Sequence, residues 1–415
     1  MFMIGMVLMP FSSGTEVAVV AYGLPVLLLL CIGYIVLQMR DPYFRPGMMQ
    51  PSLLGLLLVI TIVATSLYGP EFKAAAARVI PNVIGFLVFL YLLSPFSGPP
   101  GTVTKVERTA AIYIVAATVV ALYYLINFVV QANEVGLAGV LLDRVTGGII
   151  SLPWGATNVV ASLLLLPMLL TFYFGSKTDN TRGGFFYLFA RTIMVATILL
   201  TQSRGAMISG AFGLVLLAFF FKGRARIRLL AFVALTWFLW AMFDSWVQSV
   251  LDQQFVSEIV ARFSGEDVVD LNGRVQIWEK FSDAFLGSPL LGSGFYSTLY
   301  TIGSSGHNIV LTTVVERGLV GLALSSAILI KAAQGVVSGF FRAKASDLKL
   351  FLACLGAGGA ASVLHLMVED ANFTQQYIVY SWVALALVFQ VLEALPAEAP
   401  VAIRDAGHNS LRYTT

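Results

Sequence analysis

Charge is scarce in this 415-residue sequence: only 11% of its residues are Asp, Glu, Lys or Arg, while 58% are apolar. A soluble domain carries about 25% charged residues, so most of the chain belongs in lipid and a soluble fold is excluded. The mean hydropathy of +0.86 agrees. Cysteine and histidine are rarer still, at two and three residues. Cys31 and Cys354 both fall inside apolar runs, where a thiol packs as a small core group, so neither a disulfide nor a metal pair is expected. No Lys or Arg precedes the short apolar start at 1–10, and no small-residue cleavage pattern follows it, which argues against a removable signal peptide. There is no Cys/His metal cluster, P-loop, serine nucleophile elbow or HExxH motif, and no repeat of solenoid period or low-complexity tract. No metal site, cofactor or nucleic-acid partner is expected.

What is abundant is apolar length. Runs near 16–38, 51–68, 79–94, 109–131, 153–174, 184–201, 206–221, 227–243, 308–330, 348–368 and 374–393 approach the roughly 20 residues that cross a hydrocarbon core of about 30 Å. The sequence therefore predicts an all-α polytopic membrane protein. It has eleven clear spans, or about twelve if the N-terminal segment continues past Ser13 far enough to cross. Sixteen of the 25 Lys and Arg residues fall in one set of connections, from Arg40 and Arg45 through the cluster Lys222, Arg224, Arg226 and Arg228 to the tail. Eight fall in the other set, and Arg191 lies inside a span. The positive-inside rule puts the first set and the C-terminus in the cytoplasm.

The outward set contains one long connection, 244–306, between transmembrane regions 1–243 and 307–393; a cytoplasmic tail, 394–415, follows. Val247, Leu251, Phe255, Ile259 and Phe263 recur every four residues, and Val275, Trp278, Phe281 and Phe285 every three or four. Two amphipathic helices fit that spacing and make the loop a folded platform on the outer side.

Ionisable residues at membrane depth are costly and usually functional. Here the deep core is nearly empty of them, and the polar groups gather at the outer rim in four stretches. These are Asp143–Gly148 with Gly155–Asn158; Thr201–Ala206, which holds Ser203, Arg204 and Gly205; Asn272–Trp278 with Ser288–Phe295; and Ser304–Leu311, running on to Glu316, Arg317, Gly318 and Gly321. A transporter would place such groups near the midplane. Arginine grips phosphate through a planar, permanently charged fork. A histidine of near-neutral pKa suits proton abstraction from a hydroxyl. Several arginines and one histidine on one face suggest a phosphorylated lipid donor and a hydroxyl acceptor.

His307-Asn308 followed by Glu316-x-Gly318-x-x-Gly321 resembles the signature of the O-antigen ligase and polymerase superfamily. The Ser203-Arg204-Gly205 turn, Arg274 with Trp278, and the Pro289-Leu-Leu-Gly-Ser-Gly294 run resemble the same family in order, and Arg144 and Asn158 fit more loosely. The resemblance covers roughly 140–325 and is closest to O-antigen ligase. It implies a GT-C-like glycosyltransferase of the bacterial inner membrane, with its active site facing the periplasm and no need for metal. Such an enzyme moves a glycan, with inversion, from an undecaprenyl-diphosphate donor to a hydroxyl of the lipid A-core acceptor.

Carried over residue by residue, the resemblance makes His307 the base or orienting group and gives Arg204 the donor diphosphate. Arg274 is the likelier loop arginine for the same task, with Arg262 as a second candidate and a structural pairing with Glu279 or Asp270 left open. Asn308, Ser203, Arg144 and Asn158 complete the substrate-binding set. Several polar residues have plainer readings. Glu316 and Arg317 are expected to settle each other or their neighbours inside the bundle, Arg191 to snorkel towards the cytoplasm, and Gly318 and Gly321 to permit close helix contact. His365 reads as a hydrogen-bonded core residue, His408 as solvated, and Glu266, Asp267 and Asp270 as a solvated loop. The main rival function is an O-antigen polymerase; a lipid-glycan flippase or solute transporter is the more distant one.

Overall fold

The computed structural model describes residues 46–94, 97, 101–146, 157–177, 181–221, 223–250, 274–304, 306–369 and 374–395. Twelve helices account for nearly all of them, and no strand occurs among the described residues. They are α1 (Pro46–Ser66), α2 (Phe72–Leu93), α3 (Val103–Thr146), α4 (Thr157–Lys177), α5 (Thr181–Leu200), α6 (Arg204–Ala218), α7 (Gly223–Val250), α8 (Arg274–Gly287), α9 (Thr298–Thr301), α10 (Ile309–Arg342), α11 (Ser346–Leu366) and α12 (Gln375–Ala394). The expected span at 16–38, the N-terminal segment, most of the first amphipathic stretch and nearly all of the tail lie outside the described residues.

Seven of these helices are long and apolar enough to cross a membrane: α2, the 103–137 part of α3, α4, α5, α10, α11 and α12. Three shorter apolar segments, Gln50–Ser66, Arg204–Ala218 and Leu229–Phe238, coincide with three further expected spans. Long-range contacts fix how the helices align. Lys177 of α4 pairs with Glu107 of α3 at one end, while Tyr124 of α3 donates to the Leu200 carbonyl of α5 towards the other (3.2 Å). Gln390 of α12 likewise reaches the Leu92 carbonyl at the end of α2 (2.7 Å). The connections therefore alternate between two ends of the bundle: 94–103, 177–181, 218–223 and 342–346 at the end that the Lys and Arg bias expects to be inner, and 66–72, 146–157, 200–204 and 366–375 at the end expected to be outer.

Lipid tails are as apolar as leucine, so packing and hydrogen bonds hold such helices together more than hydrophobic burial does. α4 sits at the centre: 83% of its apolar window is buried inside the protein, against 22% for α5 and for α10. On α5 and α10, Phe185, Leu188, Ile330 and Phe341 remain exposed, as suits lipid contact. Arg191 of α5 behaves much as a snorkelling arginine should, but stops against α4. Its guanidinium lies 3.5 Å from the Phe172 ring centroid and donates to both Thr171 oxygens at 3.1 Å.

The outward connection is partly visible. α7 runs on to Val250 without a break near 243, and α8 is the second expected amphipathic helix, with Phe281 buried and Glu279, Lys280 and Asp283 exposed. The 288–295 segment that follows is not helical. It lies along α10, which is broken at Gly318 (φ 63°, ψ −167°).

The break frees backbone groups, and the segment takes them up. Ser293 N–H donates to Val315 O (2.8 Å), Gly294 N–H to Glu316 O (3.1 Å), Leu319 N–H to Pro289 O (2.9 Å) and Val320 N–H to Leu290 O (3.2 Å). Non-helical backbone at this depth persists only when such partners exist. Phe295 N–H also donates to Thr65 O (3.2 Å), so the break lies level with the outer end of α1. Glu316 and Arg317, buried just before the break, engage neighbours as the sequence suggested: Glu316 accepts from Thr298 (2.8 Å) and Arg317 donates to Thr313 (2.7 Å).

A Cβ on Gly318 would lie 2.1 Å from the Leu290 carbonyl oxygen, in a backbone conformation that favours glycine. Gly318→Ala is therefore expected to cost roughly 1–3 kcal/mol, lowering the midpoint of thermal unfolding in detergent. Gly359→Ala, where the new methyl meets nothing within 4 Å, should leave that midpoint nearly unchanged. Equal midpoints for the two variants would contradict the strap's structural role.

Candidate active site

The outer rim is organised by one short stretch, residues 365–369, where α11 ends. Met367 N–H is shared between the Val363 and Leu364 carbonyls, and the Val368 and Glu369 N–H groups both donate to His365 O, which winds the chain into a tight turn. This turn reaches three other elements. His365, fully buried, sits with Nδ1 2.8 Å from Ser162 Oγ of α4 and Nε2 3.4 Å from Ser203 Oγ at the start of α6. The Met367 carbonyl accepts from Asn308 Nδ2 (2.9 Å). Glu369 accepts from Asn158 Nδ2 (3.0 Å) through one carboxylate oxygen and places the other 3.5 Å from His307 Nδ1.

Two further turns meet it, and they are built alike. Gln202 (φ 50°) precedes Ser203, whose hydroxyl caps α6 by accepting from Ala206 N–H (3.4 Å). His307 (φ 46°) precedes Asn308, whose carbonyl oxygen caps α10 by accepting from Val310 N–H (2.9 Å) and Leu311 N–H (3.2 Å). Side-chain caps of this kind satisfy the unpaired N–H groups of a first helical turn. A left-handed residue before each cap is unusual outside glycine, and such strain gathers at functional sites.

The first turn presents Arg204 as the opening residue of α6, exposed at the rim. The helix N-terminus beneath it adds to the positive potential an anion would meet. Gly205 allows this turn to sit down on α11, since a Cβ there would lie 2.7 Å from Val368 and 3.4 Å from the His365 ring. The second turn is braced from the platform: Trp278 Nε1 of α8 donates to Gly306 O (3.0 Å), and Phe281 packs beneath Gly306. The His307 side chain is about one-third exposed, at 32%, whereas Glu369 is nearly enclosed at 9%. That leaves the imidazole accessible, with Nδ1 turned towards the carboxylate.

Among the residues singled out from sequence, Asn158, Ser203, His307 and Asn308 all meet at 365–369, and Arg204 is adjacent to one of them in the chain. Arg144 lies on the outer part of α3, beyond the kink at Gly136, and Arg274 opens α8; neither side chain is among those described. Arg262 lies outside the described residues. Sequence reasoning missed Ser162 and Glu369; its reading of His365 as a hydrogen-bonded core residue is what the structure shows, without its partners having been named. A signal was present: Asn158/Ser162 and His365/Glu369 are both four-residue polar pairs near the outer ends of apolar helices, and α4 and α11 run in opposite directions. No cluster of three or more His, Cys, Asp or Glu able to hold a metal occurs among the described residues.

Below the Arg204 turn, a small, open apolar cleft lies between α4, α5, α6 and α7. Met168, Ile198, Met207, Leu214, Phe232 and Trp237 contribute to its walls, and Met207 lies less than one turn from Arg204. An exposed cation thus stands above an oily groove. This is the arrangement an amphiphile with a charged head and a hydrocarbon chain would fill.

Comparison with curated proteins finds no match. A family model described as O-antigen ligase matches residues 189–325, from within α5 to the part of α10 just past Gly321. That stretch holds Ser203, Arg204, Trp278, the 288–295 strap, His307 and Asn308, while α4 and α11 lie outside it. Residues 189–325, about a third of the chain, are thus similar to the O-antigen ligase family.

Proposed function

We propose that this chain is an O-antigen ligase: an inverting glycosyltransferase that moves a glycan from undecaprenyl diphosphate to a hydroxyl of lipid A-core. It would lie in the bacterial inner membrane with the rim of His307 and Arg204 facing the periplasm. The ten apolar helices or segments seen, the 16–38 run and the short N-terminal segment would make about twelve spans. The observation that carries this reading is the meeting of His307, Asn308, Ser203 and Asn158 on 365–369, with Arg204 beside them and the apolar cleft below.

In the reaction, the acceptor oxygen attacks the anomeric carbon from the face opposite the diphosphate. The carbon–oxygen bond to the diphosphate breaks, and undecaprenyl diphosphate departs with the bonding pair. The hydroxyl proton passes to His307 through Nε2, since Glu369 beside Nδ1 favours the tautomer that leaves Nε2 unprotonated. Arg204 and the α6 N-terminus hold the diphosphate and stabilise the charge that builds on it. The cleft takes the first isoprene units. Arg274, Arg262 and Arg144 complete the cationic face from the platform and from α3.

The test is transfer by the purified chain, with undecaprenyl-diphosphate glycan, lipid A-core and EDTA present. Glycan should appear on lipid A-core. His307→Ala should lower the rate roughly 10²–10⁴-fold and Arg204→Ala roughly 10²-fold, at unchanged expression. Glu369→Gln, which keeps an acceptor for Asn158 but loses the charge facing Nδ1, should give a smaller loss carried by kcat. Glycan lengthening on the lipid carrier instead would identify a polymerase. No transfer with or without divalent metal would contradict a transferase altogether.

A further inference from the structure

We propose that His365 is a positioning residue: it locks the Arg204-bearing turn to the bundle through a one-directional chain of hydrogen bonds. The proposal rests on Arg204 serving the donor, as above, but the chain itself is read from geometry. His365 has 0% exposure and stands between two serines on different helices. Ser162 has a single hydroxyl proton, and we assign it to the Asn158 carbonyl, which can only accept (3.0 Å). Ser162 Oγ can then only accept from His365 Nδ1, 2.8 Å away. A neutral imidazole has one N–H and one lone pair, so Nε2 is the acceptor and takes the Ser203 hydroxyl proton across 3.4 Å.

The Ser203 oxygen in turn accepts from Ala206 N–H in the first turn of α6. Donor by donor, the order runs Ala206 N–H, Ser203, His365, Ser162, Asn158 carbonyl. Every proton is used once. The chain joins the start of α6, the end of α11 and the start of α4 in the layer just beneath the rim. Asn158 then returns to Glu369 through its side chain, so the same residues that fix Arg204 also fix the carboxylate facing His307. Neither member of the central His365–Ser162 contact lies within the matched 189–325 stretch.

Two substitutions separate the ends of the imidazole. Asparagine places its amide near the Nδ1 position, and glutamine reaches the Nε2 position. His365→Asn should keep the Ser162 contact and lose the one to Ser203; His365→Gln should keep an acceptor for Ser203. Hydrogen–deuterium exchange of the full chain in detergent, followed over peptides covering 201–208, should speed up about tenfold in His365→Asn and in Ser203→Ala. In His365→Gln it should stay near wild type. Turnover should fall about tenfold in the first two variants, with the acceptor KM unmoved. The His365→Asn/Ser203→Ala double variant should be no worse than Ser203→Ala alone, which already removes this link together with the α6 cap.

Unchanged exchange in both His365→Asn and Ser203→Ala, or equal damage from glutamine and asparagine, would overturn the proposal. So would losses that multiply in the double variant. If the wild-type chain transfers no glycan, the transferase reading fails by itself, and the exchange comparison still decides the lock. Should His365→Asn not fold, Ser203→Ala probes the same link from its other side.

Discussion

A polar group enclosed by a helix bundle in lipid has little water to turn to, so leaving it without a partner in the protein is costly. The outer rim of this chain is shaped by that requirement. A broken helix at Gly318 exposes backbone groups, and the 288–295 segment lies down to meet them. A buried imidazole at His365 needs one donor and one acceptor, and serines on two other helices supply them. The opening turns of α6 and α10 need caps, and Ser203 and Asn308 provide both the cap and a link to α11. The bonds that satisfy the backbone are also the bonds that gather the candidate site.

This coupling bears on chemistry. A transferase that uses no covalent intermediate depends on holding donor, acceptor and base in one geometry. The base candidate, His307, is held from two directions: by Glu369 and the Asn308–Met367 contact on α11, and by Trp278 through Gly306 on the platform. Arg204 is held differently. Its backbone is fixed by a cap and a glycine contact while its side chain stays exposed. A base held from two sides beside an exposed cation would suit a donor that enters from the membrane with a long chain attached.

Much of this was legible in the sequence because the membrane simplifies the reading. Apolar length located ten described helices or segments, and lysine and arginine bias separated the connections into the same two ends that the helix contacts define. Amphipathic spacing found α8. The His-Asn and Ser-Arg-Gly turns could be placed on one rim by parity alone. Two things were hidden. The break at Gly318 leaves an apolar run that looks continuous, since local hydropathy does not register a change in φ and ψ. Glu369, Ser162 and the partnership of His365 depend on which helices neighbour each other, and a pattern within one helix does not reveal that. Only the antiparallel pairing of α4 with α11 turns two ordinary polar pairs into one network.

If His307 and Arg204 act on one diphosphate-linked sugar, a cryo-EM map of the full chain with undecaprenyl diphosphate bound tests it most directly. Diphosphate density is expected within about 3 Å of the Arg204 guanidinium, with isoprene density entering the cleft beside Met207 and Trp237 and the His307 ring facing the same space. Diphosphate bound elsewhere on the chain, with Arg204 and His307 unable to reach one sugar between them, would contradict it.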